Sequence, residues 1–281
     1  MVGSNTFAAR LVKLWLPLAL YGAFILFPFA WMLIVSIKPD HLLLDTRLNP
    51  FAIIQPTLQH YRFLLTETDF PRWTWNTFVV TIGATALSLL CSILIGYALG
   101  RFRFRGGNTM GIAIFLLYLV PPTLLFIPLS QIISQLKLYN SYWALILTYP
   151  TFLIPFASWL LMGYFRTISR ELEDAALVDG ATRFQAMTRI VLPLAIPGIL
   201  SAGIFCFTLG WNEFLYALVF MGSGEMKTVP VGVVSDFIRA DLYFWGVLMA
   251  AGILGSVPVA LAYAFLVDNY VSGLTAGATK G

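Results

Sequence analysis

The sequence predicts an all-α protein: a polytopic transmembrane bundle of six helices with a two-helix loop on its cytoplasmic side. Three observations predict it. Of the 281 residues 59% are apolar and only 11% charged. A soluble domain carries about 25% charged residues, so this chain lacks the polar surface that a globule in water needs. Six apolar runs, roughly 14–37, 76–100, 109–134, 142–165, 197–220 and 243–267, reach the ~20 residues that cross a hydrocarbon core. Between the fourth and fifth runs lies one charged, amphipathic stretch, ELEDAALVDGATRFQAMTRIVLPLAIP, residues 171–197. Neither the long segment 38–75 nor the 221–242 loop has the length or apolar content of a separate domain, and no internal repeat is visible, so 1–281 reads as a single transmembrane domain.

The run 14–37 is too long for the core of a signal peptide and lacks a small-x-small cleavage site, so it reads as a retained span. The polar segment 38–75 follows. Its two histidines, His41 and His60, are nineteen residues apart, give no metal-ligand spacing and read as surface groups. The second run ends in the short basic loop GRFRFRGG, residues 100–107. The third and fourth contain Pro121, Pro122, Pro128, Pro150 and Pro155, and such prolines predict kinks whose freed backbone groups neighbouring helices satisfy. Cys91 and Cys206 lie inside apolar runs and read as small buried hydrophobes rather than a disulfide or metal pair.

Lysine and arginine set the orientation. Ten of them, including Arg10, Arg101, Arg103, Arg105, Arg166, Arg170 and Lys280, fall on one side, and seven fall on the other. Both termini and the 166–196 loop are therefore expected in the cytoplasm, with 38–75 and 221–242 outside. The net charge of +4 is a topology signal. The arginines are scattered through short loops, so no nucleic-acid partner is expected.

Ser169 is a helix cap that places Glu171, Glu173 and Asp174 in the first turns, where the helix dipole favours anions. Leu172, Ala175 and Ala176 then form a narrow apolar face. Asp179-Gly180 stops this helix, with glycine suited to the left-handed position. Thr182, with Gln185 three residues on, opens a second helix through a capping box. Its apolar side carries Phe184, Met187 and Ile190 or Val191, and Pro193 and Pro197 close it. Helices this short are marginal in water and need a surface to pack on. Two readings stand open: a lid on the chain's own bundle, or a helix pair that docks in a partner's groove with Phe184 as anchor.

The stretch EDAALVDGATRFQAMTRIVLPLAIP resembles the cytoplasmic EAA loop of ABC importer permeases: E-A-A, three residues, G, and later I-x-L-P. The match runs through Asp174-Ala175-Ala176, Asp179-Gly180-Ala181 and Ile190 to Pro193, with Asp174 where glutamate is usual, a slightly shorter reach. SIKP after the first run, WNEF in the fifth and GLTAGATKG at the C-terminus resemble the carbohydrate-uptake permeases of the maltose type, in particular the six-span partner of each permease pair. The resemblance covers nearly the whole chain. It implies a bacterial inner-membrane protein, in membrane lipid, that pairs with a second related permease, an ABC ATPase dimer and an extracytoplasmic solute-binding protein. It implies that the loop is a coupling helix contacting the ATPase through Glu173, Asp174, Ala175, Ala176, Asp179, Gly180, Ala181, Arg183 and Phe184. The outer segments 38–75 and 221–242 are where the binding protein would dock, and the flexible tail Gly273 to Gly281 would lie at the ATPase.

No G-x-x-x-x-G-K-[ST], H-E-x-x-H, C-x-x-C or G-x-S-x-G occurs. The chain is therefore expected to be a transporter subunit and not an enzyme, with no cofactor of its own; ATP and Mg belong to the partner ATPase. Only Glu213 lies well within a span, with no partner visible in the sequence, a costly place for a carboxylate unless it is paired or faces a wet cavity. With Trp211, Asn212 and Tyr216 it forms a candidate gate or substrate path; gate or packing is favoured over direct sugar contact. Tyr118 and Tyr149 are weaker pore candidates. The alternatives are a permease of the same superfamily for a polyol or glycerol phosphate derivative, and a stand-alone transporter or membrane enzyme.

Overall fold

A computed structural model describes residues 11–43, 45, 47–239 and 242–275. Arg10, Lys280 and the tail beyond Thr275, used above for orientation and ATPase contact, lie outside the described residues. Among the described residues the chain is all-α apart from one two-residue antiparallel pair, β1 (Ile238–Arg239) and β2 (Leu242–Tyr243). It divides into two compact units, residues 1–71 with 233–257, and 72–232 with 258–281.

In the first unit, helix α1 (Leu16–Ser36) continues a π-helical turn, Leu11–Trp15. Only 6% of its membrane window is buried, and Leu20, Phe24, Leu26 and Phe29 face outward, as lipid-facing positions do. The polar segment behind it carries α2 (Asp40–Leu43) and α3 (Gln59–Thr66) and is tied back to the end of α1. The Thr57 N–H donates to the Ile37 carbonyl at 2.8 Å, the Ser36 and Tyr61 hydroxyls pair at 2.8 Å, and the Lys38 ammonium donates to the Pro50 carbonyl. His60 corrects the surface reading. It is 2% exposed, its Nε2 lies 2.9 Å from the Lys38 carbonyl and 3.7 Å from Asp40. Gly246 lies so close that a Cβ there would sit 2.3 Å from Nε2. A buried imidazole is stable here because backbone oxygen satisfies it.

The second unit is organised on one helix. α7 (Tyr142–Thr148) and α8 (Pro150–Thr167) make one candidate span of 26 residues, the most buried of those in the chain at 61%. Leu153, Ala157, Leu161 and Phe165, four residues apart, form its fully buried stripe. Three neighbours approach α8 through glycine. In α4 (Phe70–Arg101) the G-x-x-x-G pair Gly96 and Gly100 lies against Leu161, Met162 and Phe165; in α5 (Gly107–Tyr118) Gly111 meets Met162; in α12 (Ile196–Trp211) Gly198 lies under the Tyr164 ring. Small residues at such crossings let backbones come close where lipid supplies no hydrophobic drive. The stiffness of each contact sets its tolerance. A Cβ on Gly96 would meet the Leu161 Cβ at 2.9 Å and the Met162 backbone N at 3.0 Å, whereas one on Gly111 would meet the flexible Met162 sulfur. Gly96→Ala is therefore expected to lower stability by about 1–3 kcal/mol through overpacking, and Gly111→Ala by less, as thermal unfolding of the purified protein would read.

Two of the apolar runs are not straight. Among the described residues four helices are long and apolar enough to cross a membrane, or up to six if Gly107–Tyr118 with Pro122–Gln135, and Arg183–Leu194 with Ile196–Trp211, each count as one span. The run 109–134 is α5 and α6 (Pro122–Gln135), bent by 91°. Pro121 and Pro122 lack the N–H that would continue α5, so the predicted kink is a right-angle break. The run 197–220 is α12, a break at residues 212–214, and the short α13 (Leu215–Phe220). The proline-bearing fourth run stays a single span. Hydropathy sees apolar length and not direction, which is why broken runs read as continuous.

Candidate functional site

The 166–196 segment folds as two helices around a sharp corner. α9 (Arg170–Val178) is capped by Ser169, whose Oγ accepts from the Glu171 N–H at 3.2 Å. At its end the Gly180 N–H donates to the Leu177 carbonyl at 3.2 Å and the Ala181 N–H to the Ala176 carbonyl at 3.0 Å, with Gly180 at φ +88°. That paired closure is the Schellman motif, and its left-handed residue favours glycine. Thr182 then opens α10 (Arg183–Ala186): its Oγ1 accepts from the Gln185 N–H at 3.2 Å, and the Gln185 Oε1 accepts from the Thr182 N–H at 2.8 Å. α10 runs on through a π-turn at Met187–Val191 into α11 (Leu192–Leu194), and meets α12 at 74°. Ala186, Met187 and Val191 anchor it to the core.

The inward face of α9 differs from the expected one. Leu172 is 47% exposed and Ala175 is exposed, while Glu173 and Ala176 are buried. The helix is rotated because Glu173 has a buried partner. Its Oε2 accepts from the Arg101 Nε at 2.7 Å and its Oε1 from the Tyr97 hydroxyl at 2.5 Å. Arg101 also donates to the carbonyls of Ile168 at 2.7 Å, Ser169 at 3.2 Å and Phe165 at 3.3 Å. Charges this deep persist only when paired and fully hydrogen-bonded. Tyr97 and Arg101 each follow a glycine of the Gly96/Gly100 pair, so the close α4–α8 crossing carries them to the start of α9. Neither was expected at the site; two polar groups one turn apart at the end of an apolar run were the available signal.

The remaining predicted residues stay outside this knot. Asp174, Ala175, Asp179, Gly180 and Arg183 are exposed, and Ala181 half-buried. The Arg183 guanidinium lies 5.6 Å over the Phe102 ring. Phe184, placed by sequence on the apolar side, is 68% exposed, and Val178 is 87% exposed. The corner thus presents Leu172, Val178 and Phe184 among acidic groups.

The second predicted cluster sits at the α12–α13 break. Trp211 is buried and stacks on Phe207 at 5.6 Å; Asn212 is exposed, and its Nδ2 donates to the Thr208 carbonyl at 2.8 Å. Glu213 is partly buried and does have partners. Its two oxygens accept from the N–H groups of Tyr216 at 2.7 Å and Ala217 at 3.1 Å, capping the first turn of α13. Tyr149 is fully buried, and its hydroxyl has no hydrogen-bond partner among the described residues. Buried Tyr216 donates through its hydroxyl to the Pro122 carbonyl at 3.2 Å. The two breaks therefore meet, which lets irregular backbone persist in an apolar setting. Glu213→Gln keeps the shape but turns one acceptor into a donor facing a backbone N–H. It is expected to destabilise α13 by about 1–3 kcal/mol, read as faster hydrogen exchange at Tyr216 and Ala217.

Residues 92–275 match the family described as binding-protein-dependent transport system inner membrane component. The chain belongs to this family. It is a multi-pass inner-membrane permease subunit of a transporter. Similar curated proteins include the inner membrane ABC transporter permease protein YcjP of Escherichia coli, 38% identical over 94% of each chain. The sulfoquinovosyl glycerol transport system permease protein SmoH of Agrobacterium fabrum is 37% identical, over 91% of this chain and 89% of its own. The trehalose/maltose transport system permease protein MalG of Thermococcus litoralis is 33% identical, over 91% and 92%. Among solved structures, a chain of a bacterial ABC transporter involved in the import of the acidic polysaccharide alginate shares the fold. Its TM-score is 0.76 at 20% identity, covering 94% of this chain and 98% of that one.

Proposed function

We propose that this permease is one half of the translocation path of an ATP-driven, binding-protein-dependent carbohydrate importer. It crosses the membrane six times, α5 with α6 and α12 with α13 each making one passage, with both termini and residues 166–196 in the cytoplasm. A second, related permease supplies the other half, and two ATPase subunits drive it. The carbohydrate class follows from the relatives named for sulfoquinovosyl glycerol and trehalose/maltose. It is supported by an aromatic row in which Phe115–Trp159, Tyr118–Phe156 and Phe156–Phe205 lie 4.8, 5.1 and 3.9 Å apart. Such rings offer broad apolar faces with polar edges.

The observation that carries the coupling reading is the corner at Gly180. A capped, folded helix pair leaves Leu172, Val178 and Phe184 exposed at 47, 87 and 68% while its opposite face is locked to the bundle by Arg101–Glu173. A lid would bury its aromatic residue; a docking element displays it. In this reading Asp174, Ala175, Asp179, Gly180, Ala181 and Arg183 surround the Phe184 anchor, and Glu173 acts from inside by fixing α9 to α4. ATP-driven movement of the ATPases then reaches α4 and α8 through that fixed point. At the Glu213 break, two half-helices meeting at depth form a gate.

The test is to co-express the chain with its genomic neighbours, purify on this subunit, and reconstitute the complex in nanodiscs. A second permease and an ATPase should co-purify, and a sugar-loaded binding protein should stimulate ATP hydrolysis. Stimulation only by polyol or glycerol phosphates would move the solute class; solute movement by this chain alone without ATP would remove the coupling reading.

A further inference from the structure

The short basic loop after α4 folds into more than a topology signal. An open hollow of about 760 Å3 lies at the ends of α4 and α8 and the start of α5, lined by Arg103, Arg105, Arg166 and Arg170 with Asn108 and Thr109. No carboxylate lines it. Arg101, which borders a neighbouring hollow with Arg103 and Arg170, makes four hydrogen bonds, to Glu173 and three carbonyls. Arg166 donates to the Asn108 Oδ1 at 3.2 Å and to the Leu99 carbonyl at 3.4 Å. The side chains of Arg103, Arg105 and Arg170 make no hydrogen bond or ion pair among the described residues. The N-terminus of the twelve-residue α5 opens here as well, behind Gly106 at φ +89° and without a side-chain cap. Anions bind such a terminus when cations reinforce it.

We propose that these four arginines bind the phosphate of an anionic phospholipid headgroup. The hollow lies where the candidate spans Phe70–Arg101 and Tyr142–Thr167 end, which is headgroup depth. Phe102, Phe104, Met110 and Ile112 beside it are 39, 48, 54 and 61% exposed and continue the site toward the acyl chains. An acidic peptide would use the cations but leave that apolar margin uncovered. Basic pockets between spans hold anionic lipid in this way, and each arginine near such a surface contributes about a fivefold gain in affinity.

The test uses the full importer complex, delipidated in detergent and offered phosphatidylglycerol or phosphatidylcholine, with retained lipid counted by native mass spectrometry. Wild type should keep phosphatidylglycerol in preference to phosphatidylcholine. Arg105→Gln/Arg170→Gln should lower that retention about tenfold or more, and Arg105→Lys/Arg170→Lys should restore most of it. Arg72→Gln, whose guanidinium pairs with Glu225 at 3.0 Å at the other end of α4, should retain lipid like wild type. Equal retention in the glutamine variant overturns the site. So does displacement by inorganic phosphate at equal concentration, which would make it a free-phosphate site. Loss of the ATPase from the glutamine variant with lipid unchanged would assign the arginines to protein contact instead.

Discussion

Arg101→Ala is expected to cost about 3–5 kcal/mol of stability, because it leaves the Glu173 carboxylate buried without its cation. The two side chains are 2 and 9% exposed and 2.7 Å apart, and the same guanidinium holds three carbonyls at the turn from α8 into α9. Glu173→Ala should cost a similar amount by stranding Arg101. Arg101→Ala/Glu173→Ala should fall well short of the sum, since no unpaired charge remains. Thermal unfolding of the four proteins in one detergent measures this; additive losses would mean that the two groups do not act as a pair. The functional consequence is separable. The double variant should insert and hold its ATPase, because the docking face is untouched, but transport with lower yield per ATP, because α9 is no longer fixed to α4.

The second large effect belongs to the corner. Phe184→Ala removes an aromatic side chain that makes no claim on the chain's own core, being 68% exposed, so folding should change by under about 0.5 kcal/mol. As a docking anchor it should cost 2 kcal/mol or more at the interface, about a thirtyfold weaker hold on the ATPase. Gly180→Pro reaches the same end by another route. Proline fixes φ near −65°, against the +88° observed, and it deletes the N–H that bonds Leu177. Both variants should insert normally and lose ATP-dependent uptake. Normal uptake with ATPase still bound in both would return the helix pair to the status of a lid.

What the sequence made legible is what is local. Ser169, the Asp179-Gly180 stop and the Thr182–Gln185 box are each decided within four residues, and each forms as expected. The inward face of α9 was not legible. Leu172, Ala175 and Ala176 look like the buried stripe, and only Arg101, 72 positions from Glu173 in the chain, turns the helix away from it. Phe184 was left open between lid and anchor, because a docking residue and a core residue are equally apolar; it is 68% exposed. Glu213 looked unpartnered because its partners are backbone N–H groups three and four residues ahead, which side-chain pairing does not reveal. Pro121-Pro122 signalled a kink; the size of the bend depends on how α6 packs against α13.

The proposed seat of the ATPase is the Gly180 corner. The most direct measurement replaces Phe184 with a photo-crosslinking phenylalanine analogue in the full complex and irradiates it in native membranes. The expected product is a covalent adduct with the ATPase subunit whose yield changes when ATP is bound. An adduct confined to lipid or to this chain's own bundle would contradict it.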